Sequence, residues 1–252
     1  MKSIVVANWK MNPSSFKEAK ALFEATKKVM EKCSDVSLII APPAIYLHGL
    51  SANYKGKRIS FAVQNAHAEA GGAQTGEISI AQARDAGAGY VLIGHSERRA
   101  MDETNDDTRG KVSASLSLNM TPILCIGETE RAFSSGEYFN IVAEQLLAGI
   151  KDVPPAKISK VIIAYEPVWA IGGETTMNPR DMHTMAIFIR KTIIGVYGDV
   201  GHKVKILYGA AVGEKNAVAM MRDGDVRGFI VGHVSTDAER FVALLKVIQN
   251  EA

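Results

Sequence analysis

The segment Tyr90-Val91-Leu92-Ile93-Gly94-His95-Ser96-Glu97-Arg98-Arg99 passes from an unbroken apolar run into a charged stretch across a single glycine. A short apolar run without polar alternation reads as a strand covered on both faces, and Ser96-Glu97-Arg98-Arg99 reads as the opening of a short helix. The same unit recurs outward in both directions. Ser3–Ala7, Ser37–Ala41, Ile59–Val63, Pro122–Ile126, Val161–Tyr165, Lys205–Tyr208 and Phe229–Val231 are further runs rich in Val, Ile and Leu.

Helical patterns lie between them. Ser15 with Glu18 three residues on has capping-box spacing, followed by Phe16, Ala19, Leu22, Phe23 and Val29 at helical intervals. Further helices are expected near Ile78–Gly87, Thr104–Leu118, Glu137–Ile150, Glu214–Met221 and Ala238–Ile248. Another starts with Pro179 as its first residue and runs through Met182, Ile187, Phe188 and Ile193. The segment after Ala41 is only weakly helical. Eight strands alternating with helices predict parallel βαβ units, and no Pro/Gly/Ser-rich linker divides the chain. The 252 residues match one (βα)8 barrel spanning 1–252, a fold of about 250 residues. A doubly wound sheet, the alternative, would carry a Gly-rich phosphate loop after an early strand, and none is present.

Composition removes other classes. The chain is 47% hydrophobic and 22% charged with a net charge of +2, so it predicts a globular protein without a broad field for nucleic acid. No uncharged apolar run reaches the ~18 residues of a membrane span. The apolar start is cut off by Asn8 and Lys10, unlike a signal peptide. Cys33 and Cys125 are far apart, which argues against a disulfide framework and fits a reducing cytoplasm. His67-Ala68-Glu69 has half of a zinc-deaminase pattern without its Cys partners. His48, His183 and His202 read as surface residues.

In a parallel barrel the chemistry comes from the C-terminal ends of the strands. Those ends carry Asn8 and Lys10, Gln64 and Asn65, His95 and Glu97, Glu166, Gly209 and Gly232. A carboxylate, an imidazole and an ammonium at one mouth suit proton abstraction beside a carbonyl: the base removes the proton and a donor steadies the enolate oxygen. A helix opening at Ser96 favours the neutral form of His95.

Asn8-Trp9-Lys10-Met11-Asn12, Gly94-His95-Ser96-Glu97-Arg98-Arg99 and Ala164 to Gly172 (Ala-Tyr-Glu-Pro-Val-Trp-Ala-Ile-Gly) resemble signature segments of the triosephosphate isomerase family. Cys125-Ile126-Gly127-Glu128, and Gln64-Asn65 with Thr75-Gly76-Glu77-Ile78-Ser79, fit the same pattern, in order from about residue 3 to residue 248. The resemblance implies an aldose–ketose isomerase of glycolysis and gluconeogenesis, with no metal or organic cofactor. It would interconvert dihydroxyacetone phosphate and D-glyceraldehyde 3-phosphate through an enediolate. Glu166 would be the base, His95 the neutral electrophile, Lys10 the positive charge and Asn8 the support of Lys10 and His95. Glu97 would be near the reaction, as a structural partner or a proton relay. Pro167, Val168, Trp169, Ala170, Ile171, Gly173, Glu174, Thr175, Thr176 and Met177 would form a lid that excludes water. Gly172, Ala211, Gly232 and His233 would bind phosphate. Residues 66–76 would enter a partner subunit, with Thr75, Gly76 and Glu77 making cross-subunit contacts, Glu77 to Arg98, in a homodimer.

The phosphate end departs from the family pattern. Tyr208-Gly209-Ala210-Ala211-Val212 lacks the usual serine, Gly232-His233 replaces a glycine pair, and Glu174 stands in an altered lid tip. His233 could compensate with its own N–H, block the pocket, or strain the backbone if positive φ is required. These departures leave two other readings: the same mechanism on another small sugar phosphate, or a catalytically impaired barrel acting as a binding or structural protein.

Overall fold

In the computed structural model, which describes residues 2–131, 136–172 and 176–251, the strands close on themselves. They are β1 Ser3–Asn8, β2 Val36–Ala41, β3 Ile59–Val63, β4 Tyr90–Ile93, β5 Thr121–Ile126, β6 Ile162–Tyr165, β7 Lys205–Tyr208 and β8 Gly228–Val231. Every neighbouring pair is parallel, and β1 pairs with both β2 and β8, so the sheet is a barrel and not an open doubly wound sheet.

Alternation sorts the apolar residues into two cores. Ile4 and Val6 of β1, Ile39 of β2, Leu92 of β4, Ile162 and Ala164 of β6 and Ile230 of β8 fill the interior. Their neighbours Val5, Leu38, Val91, Ile163 and Val231 face outward onto the helices. Each strand is therefore buried on both faces, which is why the sequence shows continuous apolar runs. The same parity carries Asn8 and Glu166 to the inner face, at the C-terminal mouth.

The outer layer is α1 Phe16–Met30, α2 Ala44–Ser51, α3 Ile80–Asp85, α4 Ser96–Arg99, α5 Asn105–Ser117, α6 Glu137–Ile150, α7 Pro179–Tyr197, α8 Ala217–Asp223 and α9 Ala238–Glu251. Three local readings differ from expectation. The weak segment after Ala41 is helix α2, fixed by burying Tyr46, Leu47 and Leu50 rather than by propensity. The helix expected from Glu214 begins only at Ala217, because Asn216 uses its amide to close the preceding turn onto Ala211 and Gly213. At Ser15 the hydroxyl does accept the Glu18 N–H at 3.3 Å, while the Glu18 carboxylate accepts from the Ser14 hydroxyl at 3.0 Å.

Complete capping boxes occur at Ser79–Gln82 and at Thr104–Asp107. Hydrogen bonds from Thr104 hold the Asp107 carboxyl below its usual range. Thr104→Ala should lower unfolding stability by about 1 kcal/mol in urea melts. Because the folded pKa of Asp107 is depressed, its share of this stability is present above the ordinary carboxylate range. It is lost as the pH falls through the folded value, so the gap between variant and parent should narrow in acid.

Candidate active site

Gly94 ends β4 at φ 70°, a left-handed conformation that costs glycine little, and turns the chain straight into α4. His95 is the N-cap of that helix and is 7% exposed. Its Nδ1 accepts the Glu97 N–H at 3.2 Å, so Nδ1 carries the lone pair and Nε2 the proton in this arrangement. Nε2 faces Glu166 Oε1 at 3.6 Å. An N–H donor and a carboxylate thus stand on either side of one small space.

Glu166 follows β6 and is 2% exposed. Its N–H donates to Ile126 O at 2.8 Å, and its Oε2 accepts the Ser96 N–H at 3.3 Å. Two glycines let the surroundings close on it. A Cβ on Gly127 would fall 1.9 Å from Glu166 O, and one on Gly209 would fall 2.1 Å from Ile230 Cγ2 and 2.9 Å from Glu166 Cγ. Cys125 lies beneath, and burial together with the Glu166 carboxylate pushes its thiol pKa well up, so it stays protonated and is no nucleophile.

Lys10 adopts φ 52°, with its N–H donating to Asn8 Oδ1 at 3.1 Å. Its carbonyl accepts from Gln64 Nε2 at 2.8 Å, the same nitrogen that donates to Ala41 O. Its ammonium pairs with Glu97 Oε1 at 2.7 Å. Glu97 is 56% exposed on its side chain, so this pair is screened. Asn8 meets Lys10 in this way, and no hydrogen bond joins it to His95 among the described residues.

A cavity of about 670 Å³ opens above these groups. Asn8, Lys10, His95 and Glu166 line one part, and Gly172, Ala211, Gly232 and His233 line the other. Among the described residues the N–H groups of Ala211, Gly232 and His233 donate to no protein acceptor. His233 opens the 3₁₀ turn His233–Thr236 and is not among the residues at positive φ, so the strain considered for it is absent. Lys215 and Arg240 line the same cavity; their distance from the strand ends hid them from a reading centred on those ends.

At the lid, Val168–Ala170 is a 3₁₀ turn. Trp169 Nε1 donates to Glu128 Oε1 at 2.9 Å, and the Tyr165 hydroxyl donates to the same carboxylate at 2.8 Å. Pro167 is buried, Ile171 and Thr176 line the cavity, and Met177 is buried in the core. Gly173, Glu174 and Thr175 lie outside the described residues. Thr75, Gly76 and Glu77 are exposed on the long loop after β3, and among the described residues no ion pair joins Glu77 to Arg98. The Arg98 Nε is buried without a partner. The half-motif His67-Ala68-Glu69 closes on itself, His67 Nδ1 accepting the Glu69 N–H at 3.2 Å. His48, His183 and His202 are exposed.

A closed parallel barrel with a base, a neutral donor and an ammonium at its C-terminal mouth defines the class of acid–base enzymes that shift protons beside a carbonyl. The family model described as triosephosphate isomerase matches residues 3–248. Proteins named triosephosphate isomerase are similar over nearly their whole length. Those from Endomicrobium trichonymphae and Flavobacterium johnsoniae are each 38% identical, covering 97% and 98% of this chain and 98% and 99% of their own. That from Lactococcus lactis subsp. lactis is 37% identical, over 98% of each chain. The chain belongs to the triosephosphate isomerase family.

Gly209→Ala tests the packing around Glu166. The added methyl must displace either Ile230 or the carboxylate, so kcat should fall by about 100-fold while the circular dichroism spectrum is unchanged. A fall in the melting temperature without a fall in kcat would assign Gly209 to packing alone.

Proposed function

We propose that this protein interconverts dihydroxyacetone phosphate and D-glyceraldehyde 3-phosphate through an enediolate, as a homodimer in the cytoplasm and without a cofactor. The observation that carries the reading is the facing pair of His95 Nε2 and Glu166 Oε1, 3.6 Å apart on the wall of a cavity whose far end offers unused N–H groups. Glu166 takes a proton from the carbon beside the carbonyl and returns it to the neighbouring carbon. His95 Nε2–H donates to the oxygen on which charge develops, and Lys10 adds a positive field. To reach carbon, the carboxylate must give up the Ser96 N–H that it accepts at 3.3 Å. Glu97 acts by holding the Lys10 ammonium and by giving its N–H to His95.

The phosphate is gripped by backbone N–H groups at Gly172, Ala211, Gly232 and His233, since position 211 has no hydroxyl. The residues from Pro167 to Met177 act as the lid. Water exclusion protects the enediolate, which can otherwise eliminate phosphate.

Dimerisation is supported by exposed apolar side chains: Met11 at 94% in the turn after β1, Ile45 at 82% in the first turn of α2 and Met101 at 67% in the turn after α4. Thr75, Gly76 and Glu77 on the neighbouring exposed loop would reach the partner, Glu77 pairing with its Arg98.

A coupled assay with dihydroxyacetone phosphate should show turnover that falls by about 10²- to 10⁴-fold in Glu166→Gln. Turnover equal to the variant's would sink the reading, and turnover only with longer sugar phosphates would move it to a different substrate. Ala211→Ser should tighten phosphate-analogue binding by about 10- to 100-fold, the worth of one hydrogen bond to a charged group. Light scattering on dilute protein should give twice the chain mass; a stable, fully active monomer would contradict the dimer.

A further inference from the structure

At the opposite, N-terminal mouth of the barrel a second cavity of about 380 Å³ is lined by four cations, Lys2, Lys160, Lys205 and Arg227. Ser37, Thr121 and Ser159 add hydroxyls, and no carboxylate lines it. This is a local excess in a chain whose net charge is only +2. None of the four side chains enters an ion pair or hydrogen bond among the described residues. Asp35 is near enough for Lys2 to lower its pKa, but Ser34 and Gln249 hold its carboxylate and it does not line the cavity.

Two of the cations are placed by the barrel itself. Lys205 is the first residue of β7 and lies two before Leu207 of the interior, so alternation turns it to the inner face. Arg227 donates its N–H to Ile206 O at 2.7 Å, and its carbonyl accepts from Ile4 N at 3.0 Å. That clamp fixes its backbone between β7 and β1. Its Nη2 is buried with no hydrogen-bond partner, an unmet donor on a permanent charge.

Cations at this end have an ordinary explanation: the helices run antiparallel to the strands, so their C-terminal carbonyls gather here and favour positive charge. Where that explanation applies, the contact is visible. Arg58 Nη1 donates to Cys33 O at 2.9 Å after α1, and Lys157 Nζ donates to Leu116 O at 3.1 Å on α5. Lys2, Lys160, Lys205 and Arg227 make no such bond.

We propose that the N-terminal mouth binds a compact phosphate-bearing anion of two or more charges, held by Lys205 and Arg227 on the inner side and by Lys2 and Lys160 at the rim. The site is separate from the catalytic mouth, and its occupation adds to stability by mass action.

Pyrophosphate is the probe, in thermal melts at constant ionic strength set with chloride. It should raise the melting temperature of the parent and of Ala211→Asp alike, because Ala211→Asp puts a carboxylate among the N–H groups proposed to grip phosphate at the other mouth. On the Ala211→Asp background, used for the remaining variants, the rise should disappear, or need at least tenfold more pyrophosphate, in Arg227→Met and Lys205→Met. Ser159→Asp keeps all four cations and places a negative charge in the cavity, so it should abolish the rise even if removing a cation disturbs folding. Absence of any rise in the parent overturns the site. So does a rise lost in Ala211→Asp, or one that survives Arg227→Met, Lys205→Met and Ser159→Asp on that background.

Discussion

Closure of the parallel sheet is the constraint on which the rest depends. Once β8 pairs with β1, each strand has one inner and one outer face, and a residue's parity decides its environment. Ile162 and Ala164 stack in the interior, and Glu166, next in the same series, emerges at the mouth. Asn8 continues Ile4 and Val6 in the same way. A one-residue slip of β6 would exchange Glu166 for Tyr165, whose hydroxyl now ties to Glu128 outside the barrel. The interior is packed with Ile, Val, Leu and Ala, so register is enforced by the burial of several apolar side chains at once, each worth about 1.5–3 kcal/mol.

Around that frame, backbone groups do much of the work at the site. The Glu97 N–H sets the tautomer of His95, and the Ser96 N–H holds the Glu166 carboxylate back. Both come from the first turn of α4, where helical N–H groups have no internal partner. One four-residue helix therefore orients both the His95 imidazole and the Glu166 carboxylate. Gly94 makes this possible by turning at φ 70°, while Arg99 Nε donates to Gly94 O at 2.8 Å and ties the far end of the turn to its start.

The strand order, the residues at the strand ends and most helix bounds were legible in the sequence because burial on both faces leaves long apolar runs. Helix α2 was harder to read, since its formation depends on burying Tyr46, Leu47 and Leu50 against elements distant in sequence. The late start of α8 turned on an Asn216 side chain closing a turn, a choice between helix and local hydrogen bonding that spacing does not reveal. At the site, Lys10, His95 and Glu166 could be picked out as strand-end residues. The roles of Gly127 and Gly209 could not, because a close approach is a property of two strands together and leaves no pattern in either.

The two mouths also differ in how they treat charge. At the C-terminal mouth the Lys10 ammonium is neutralised in part by Glu97, and burial leaves His95 and Glu166 at 7% and 2% exposure beside free N–H groups. N–H groups so placed are directed dipoles, which impose orientation on an anion and cost little reorganisation when charge develops. The N-terminal mouth has whole charges on long side chains and no opposing carboxylate. Three flexible ammonium groups and one guanidinium give attraction with less fixed geometry than backbone dipoles, which suits binding and not chemistry. The closed barrel keeps these two arrangements at opposite ends, with Ile4, Val6, Ile162 and Ala164 buried between them.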